Sequence, residues 1–211
     1  MLNFDLRSAL RFYAVTDKAW LGKQTLQQQV EAALNGGITI LQLREKHLPY
    51  AAFLQEALKI KNLTTAYKVP LIINDNLKVA AESDSDGLHI GQEDCSASEA
   101  RKILGKNKIL GVSAQTVEQA LAAEADGADY LGVGAIFATP TKNDAQVISM
   151  QTLSAICQSV KIPVVAIGGL NVQNITPLLS SGICGAAFVS AIFAADDITA
   201  ACQQINKLLT F

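Results

Sequence analysis

The chain has 211 residues, half of them hydrophobic, with 17 basic and 19 acidic residues, a net charge of −2 and 6% aromatics. Near neutrality without a basic cluster argues against nucleic acid as a partner. No unbroken run of the roughly 18 apolar residues that a membrane-spanning helix needs is present, so no membrane span is expected.

The first residues, "MLNFDLRSALRFYAVTD", lack a basic segment followed by an apolar stretch and a small-residue cleavage site, and a cytoplasmic protein is expected. Short apolar runs then alternate with helix-like segments. Strands are expected at 12–17 (FYAVTD), 38–45 (ITILQLRE), 70–75 (PLIIND), 87–92 (GLHIGQ), 108–114 (KILGVSA), 130–137 (YLGVGAIF), 162–169 (IPVVAIGG) and 186–192 (AAFVSAI). The segments between them are rich in Ala, Leu, Gln and Glu, and the first ends at Gly36 and Gly37, a helix stop signal. Such alternation implies parallel strands joined by crossover helices. Eight units point to a single (β/α)8 TIM barrel over 1–211, with a doubly wound open sheet as the alternative. No G-x-G-x-x-G follows the first strand, which weakens that alternative. The cysteines Cys95, Cys157, Cys184 and Cys202 form no C-x-x-C pair and there are only two histidines, which argues against structural zinc.

In such barrels chemistry sits at the C-terminal strand ends. In the second strand, alternation sets Ile38, Ile40, Gln42, Arg44 and Lys46 on one face and Leu41 and Leu43 on the other. Ile38 and Ile40 are then expected in the barrel floor, the leucines under the helices, and Gln42 and Arg44 climbing toward the mouth. Cations there ask for an anionic ligand, or else for a neighbouring carboxylate. The third strand ends in Asn74 and Asp75, and Glu93 and Asp94 follow the fourth. Two carboxylates on adjacent strand ends suit a magnesium ion, while for each aspartate alone a helix N-cap is the favoured reading. His89 alternates with Leu88 and Ile90, so it is expected beneath a helix. His47 is expected in solvent, and neither histidine is given a role. Ser113, after the fifth strand, is an oxygen donor or part of a helix start near Thr116. After the sixth strand, "FATPTKND" brings the hydroxyls of Thr139 and Thr141 and the charge of Lys142, with Pro140 restricting the backbone between them. Gly169 after the seventh strand and Val189 and Ser190 after the eighth lie where barrels of this class bind phosphate through backbone N–H groups. One cationic, metal-competent region and one phosphate seat suggest two phosphorylated substrates.

The stretches "LQLREK", "LIINDN", "SDGLHIGQED", "GVSAQT", "FATPTKND", "VVAIGGL" and "FVSAI", in this order and spacing, resemble the thiamine-phosphate synthase family over nearly the whole chain. That family condenses hydroxymethylpyrimidine diphosphate with a (carboxy)hydroxyethylthiazole phosphate and releases diphosphate. The resemblance implies that Gln42, Leu43, Arg44, Glu45, Lys46, Asn74, Ser113 and Lys142 contact the pyrimidine diphosphate. Arg44, Lys46, Ser113 and Lys142 would serve the chemistry, and Asp75 and Asp94 would hold Mg²⁺. Thr139, Pro140, Thr141, Gly169, Val189 and Ser190 would surround the thiazole phosphate. Gln115 stands where many relatives have histidine, and Ala135 and Ala138 where they often have proline. Losing two prolines is expected to loosen that loop before substrate binds. The rival readings are a thiazole tautomerase-like isomerase and a non-catalytic phosphate-binding regulatory barrel. Oligomeric state stays open, a homo-oligomer included.

Overall fold

The computed structural model describes residues 5–22, 24–139 and 146–210. Eight strands run in parallel: β1 (Phe12–Val15), β2 (Ile40–Leu43), β3 (Leu71–Asn74), β4 (Gly87–Ile90), β5 (Ile109–Ala114), β6 (Tyr130–Val133), β7 (Val164–Ile167) and β8 (Gly185–Phe188). They pair in sequence order, and β8 returns to β1, with Tyr13 opposite Ile40 on one side and Ala187 on the other. The sheet is a closed (β/α)8 barrel.

Helices lie outside it: α1 (Leu6–Leu10), α2 (Leu26–Asn35), α3 (Tyr50–Ala66), α4 (Leu77–Glu82), α5 (Ala97–Leu104), α6 (Val117–Ala125), α7 (Met150–Ser159), α8 (Ser190–Phe193) and α9 (Ile198–Leu208). The crossover from β7 to β8 carries a short 3-10 stretch, Thr176–Ser181, opened by Pro177. Caps follow the sequence signals. Thr25 and Gln28 form a reciprocal capping box, α2 stops at Gly36, and Thr116 caps α6. Gly36 also seals the ring of helices: a Cβ there would lie 2.3 Å from Cys202 Cβ on α9.

Each strand is buried on both faces, as parallel strands under helices must be. Leu41, Leu43, Leu88, Ile90, Leu131 and Val133 face outward into one apolar layer with the helices. Tyr13, Val15, Ile40, Ile72, Ile109, Tyr130, Val165 and Ala187 fill the interior, above Leu10 of α1.

Three expectations change here. Ile38 belongs to the outer layer, because β2 begins only at Ile40 and strict alternation does not reach back through the turn at Gly37. His89 points into the barrel, since its outward neighbours are Leu88 and Ile90. With both faces apolar, parity alone does not tell inside from outside. Ser190 to Ile192 form the start of α8, and β8 ends at Phe188.

Glycines make room for the large interior rings. Gly111 sits opposite both His89 and Tyr130, and a Cβ on it would lie 2.2 Å from Tyr130 Cζ. Tyr130 is wholly buried and has no space to retreat. Gly111→Ala should therefore destabilise the fold by about 2 kcal/mol or more through overpacking. A urea midpoint equal to that of the parent protein would contradict this packing.

Candidate functional site

The C-terminal strand ends surround one open cavity of about 910 Å³. Its lining includes Gln42, Arg44, Lys46, Asn74, Asp75, Asp94, Ser113, Thr139, Gly169, Val189 and Ser190. Residues at or just beyond the ends of seven strands, β2 to β8, therefore share one space.

One wall is charged. Lys46 Nζ lies 2.5 Å from Asp75 Oδ2, and Arg44 Nη1 lies 3.3 Å from Asp17 Oδ2. Asp75 takes a left-handed backbone, φ +61°, with its N–H donating to the His89 carbonyl at 2.8 Å. A non-glycine residue in that region carries a conformational cost, and here it turns the carboxylate toward the rim. Asp94 Oδ2 accepts from the Gly91 N–H at 2.7 Å. Partial desolvation raises the Asp94 pKa above the usual carboxylate range, and the adjoining Asp75 carboxylate adds to the rise. Lys46 and the Gly91 N–H act in the opposite sense.

Neither aspartate serves as a helix cap. Asn76 caps α4 and Ser96 caps α5. Two adjacent carboxylates, both free of capping duty, fit a divalent cation that takes its other ligands from phosphate oxygens and water. Among the described residues, no cluster of three or more His, Cys, Asp or Glu side chains could hold a metal by itself. Any ion bound at this pair therefore needs ligand oxygens to complete its shell.

The opposite wall is mostly backbone. β7 ends in Gly168 and Gly169, with φ of +102° and +66°. A Cβ on Gly169 would lie 2.8 Å from both the Ala138 carbonyl and Phe137 Cβ. The chain beyond β6 comes this close because Ile136 and Phe137 donate their N–H groups to Ile167 and Gly168, each at 3.0 Å. That pairing sets Thr139 beside the double glycine. Ala135 donates its N–H to Gln146 at 3.3 Å, a bond that proline could not make. Pro140, Thr141 and Lys142 lie outside the described residues.

Two expected contacts leave the cavity. Leu43 is fully buried in the outer layer, and Glu45 pairs with Lys18 at 2.9 Å in a neighbouring hollow. Both stand on the outward parity of β2, opposite to Gln42 and Arg44. Gln115 lines the cavity and donates to the Gly134 carbonyl at 3.3 Å.

The cavity floor is polar in a way that the sequence reading missed. Gln42 Nε2 lies 2.9 Å from Tyr13 Oη, Tyr13 Oη 2.8 Å from Tyr130 Oη, and Tyr130 Oη 2.9 Å from His89 Nδ1. His89 Nε2 then lies 3.0 Å from Ser113 Oγ. The available signal was a polar ring on the same parity as small residues, as in Tyr130, Gly132 and Gly134.

A thiamine monophosphate synthase family profile matches residues 12–192. The chain belongs to this family. Thiamine-phosphate synthase 2 of Streptococcus pneumoniae is 50% identical over 203 residues, covering 96% of this chain and 97% of its own. Thiamine-phosphate synthase of Clostridium acetobutylicum is 48% identical, covering 94% and 92%. Among solved structures, a thiamine phosphate pyrophosphorylase of Pyrococcus furiosus superposes with a TM-score of 0.90 at 37% identity, covering 97% and 98%. More distant barrels, such as 3-hexulose-6-phosphate synthase at 16% identity and a TM-score of 0.69, share the fold. In this member of the thiamine monophosphate synthase family, no helix among the described residues is long and apolar enough to cross a membrane.

Burial pushes the His89 pKa down to about 4, against an opposing pull from Asp75. An unfolded histidine protonates near 6.5. The unfolded chain therefore takes up this proton first as pH falls, and native stability drops between about pH 6.5 and about pH 4. The loss attributable to His89 should reach roughly 3 kcal/mol by pH 4. Urea midpoints at pH 7, 5.5 and 4.5 should fall more steeply for the parent protein than for His89→Gln. Parallel slopes would rule out a neutral buried imidazole.

Proposed function

We propose that the cavity joins a hydroxymethylpyrimidine diphosphate to a thiazole phosphate, forming thiamine phosphate and releasing diphosphate. The observation that carries this reading is the pairing of two anion seats in one space. Arg44, Lys46, Asp75 and Asp94 line one side of the cavity, and Thr139, Gly169, Val189 and Ser190 line the other. Membership of the family, and relatives near 50% identity named thiamine-phosphate synthase, support the same activity. The protein is then a transferase.

The step balances without a base. The bond between the pyrimidine methylene carbon and the bridging oxygen breaks, and its electron pair leaves with diphosphate. The thiazole nitrogen donates its lone pair to the same carbon. Arg44 and Lys46 offset charge growing on the leaving group, with Lys142 in the same role. Mg²⁺, held by Asp75 and Asp94, would supply further charge neutralisation to the diphosphate. Ser113 donates to a phosphate oxygen. The thiazole phosphate, seated by Gly169 and the Val189–Ser190 turn, holds the nucleophile on the far side of the carbon, so that its encounter with that carbon is effectively intramolecular. Gln115 offers a neutral amide where an imidazole would otherwise stand, consistent with chemistry that moves no proton from carbon. A cytoplasmic setting accords with four cysteines that form no disulfide among the described residues.

Three measurements test the reading. Mixing both phosphorylated substrates with Mg²⁺ should give diphosphate and thiamine phosphate in equal amounts. Isomerisation of the thiazole phosphate alone, or binding without turnover, would replace the synthase with one of its rivals. Lys142→Ala should lower kcat by about 100-fold or more, the cost of removing one transition-state donor, and an unchanged kcat at saturation would remove Lys142 from the chemistry. Asp75→Asn should move the magnesium titration to higher concentration. An unaltered titration would take Asp75 out of the metal site.

A further inference from the structure

Five groups on five strands form an unbroken hydrogen-bonded line beneath the cavity: Gln42 on β2, Tyr13 on β1, Tyr130 on β6, His89 on β4 and Ser113 on β5. Tyr13, Tyr130, His89 and Gln42 are buried, and Ser113 is half-buried at the cavity edge. The rings are held by close packing. Tyr130 fits against Gly111, and a Cβ on Gly132 would lie 2.8 Å from His89 Cε1. The His89 and Tyr130 rings stand 5.5 Å apart between centroids.

The hydrogens in such a line are not independent. The Gln42 amide nitrogen can only donate, so Tyr13 accepts from it. Each remaining hydroxyl has one hydrogen to give. All four bonds form with no buried hydrogen left unused only if Tyr13 donates to Tyr130, Tyr130 donates to His89 Nδ1, and His89 Nε2–H donates to Ser113. A neutral imidazole carries its single hydrogen on Nε2 in this arrangement. The alternative that also makes four bonds runs wholly the other way, with the Gln42 carbonyl on Tyr13 and Ser113 donating to His89. Any mixed arrangement leaves a buried group unpaired, at a cost that disfavours it.

We propose that Tyr13, Tyr130 and His89 are positioning residues for the pyrimidine diphosphate. They form a one-way relay that couples the amide orientation of Gln42 to the hydroxyl orientation of Ser113. In the direction built here, Ser113 already accepts from the imidazole, and its own hydrogen is left for an acceptor in the cavity. The Gln42 carbonyl is left for a donor. A ligand with an amino group at one end and anionic oxygens at the other satisfies both ends at once. A ligand with these polarities exchanged would require every hydrogen in the line to reverse. The relay thus selects an aminopyrimidine bearing an oxyanion group. This assignment of the ligand rests on the synthase reading, whereas the direction of the relay does not.

Two experiments decide it. The first is nitrogen-15 NMR of the imidazoles in the free protein, which depends on no substrate. His89 should show a protonated Nε2 and a bare Nδ1, and should keep that form from pH 8 to pH 6. A protonated Nδ1, or a rapidly exchanging mixture of tautomers, would overturn the relay. The second is a kinetic cycle of Tyr130→Phe and Ser113→Ala, singly and together. Tyr130→Phe removes one oxygen and should lower kcat/KM for the pyrimidine diphosphate about tenfold, with KM for the thiazole phosphate unchanged. Ser113→Ala should then cost at least about threefold less in the Tyr130→Phe background than in the parent. Additive losses, or equal loss for both substrates, would mark Tyr130 as merely structural and overturn the proposal. If the parent protein forms no thiamine phosphate, the synthase reading fails, and the imidazole spectrum still decides the relay.

Discussion

A polar side chain that enters the interior of a closed eight-stranded barrel has to find its partners on other strands. Each strand offers its inward face only alternate residues, and β6 gives one of those positions to Gly132. An unpaired hydroxyl or imidazole in that space would lose its solvation without compensation. The bond between Tyr13 and Tyr130 spans 117 positions of sequence and exists only because the barrel closes. The same closure brings His89 to Ser113 and Gln42 to Tyr13. The polar floor of the cavity is therefore a product of the global fold, and it ties the integrity of the barrel to the orientation of the groups at its mouth.

The rim obeys a related rule with full charges. Lys46 rests on Asp75 and Arg44 on Asp17. These pairs are partly exposed, where ion pairs contribute little to stability. That weakness suits a binding site. A diphosphate could draw Lys46 toward itself while a cation took over Asp75 and Asp94, so that Lys46 and Asp75 would exchange partners and neither would be stranded. The Asp94 carboxyl is raised chiefly by desolvation, with Asp75 adding to it. A cation would relieve both effects.

Much of this was legible in the sequence, for physical reasons that can be named. Period-two alternation in "ILQL" separated Gln42 from Leu43, because one face of β2 meets the cavity and the other meets the helices. Gly36 and Thr116 marked helix ends through backbone chemistry that acts locally. The eightfold alternation of strands and helices set the topology. The failures have separate physical causes. Where both faces of a strand are apolar, parity gives two sets of residues without saying which points inward, and so His89 was sent under a helix. The error hid Tyr13 and Tyr130 as well, since their roles depend on what stands across the barrel. Ile38 failed because alternation was carried back past the true start of the strand. Ser190 to Ile192 failed because an apolar run of that length suits a strand and a helical turn equally.

The second wall shows how much of a binding site can be built without side-chain chemistry. Its lining at Gly169 and at the Val189–Ser190 turn is chiefly backbone, and it relies on the segment beyond β6 continuing to pair with β7 after the regular strand has ended. Two positive-φ glycines in succession let β7 turn away at the rim while Ala138 and Phe137 pass within van der Waals contact. Any side chain on Gly169 would meet that segment before it met a ligand. The seat and the loop that carries Thr139 are consequently one packing unit. Substitutions in either should be felt in the other, whereas the charged wall across the cavity can vary its ion pairs without disturbing this backbone. Two walls of such different construction suit two substrates that must be held separately and brought together at one carbon.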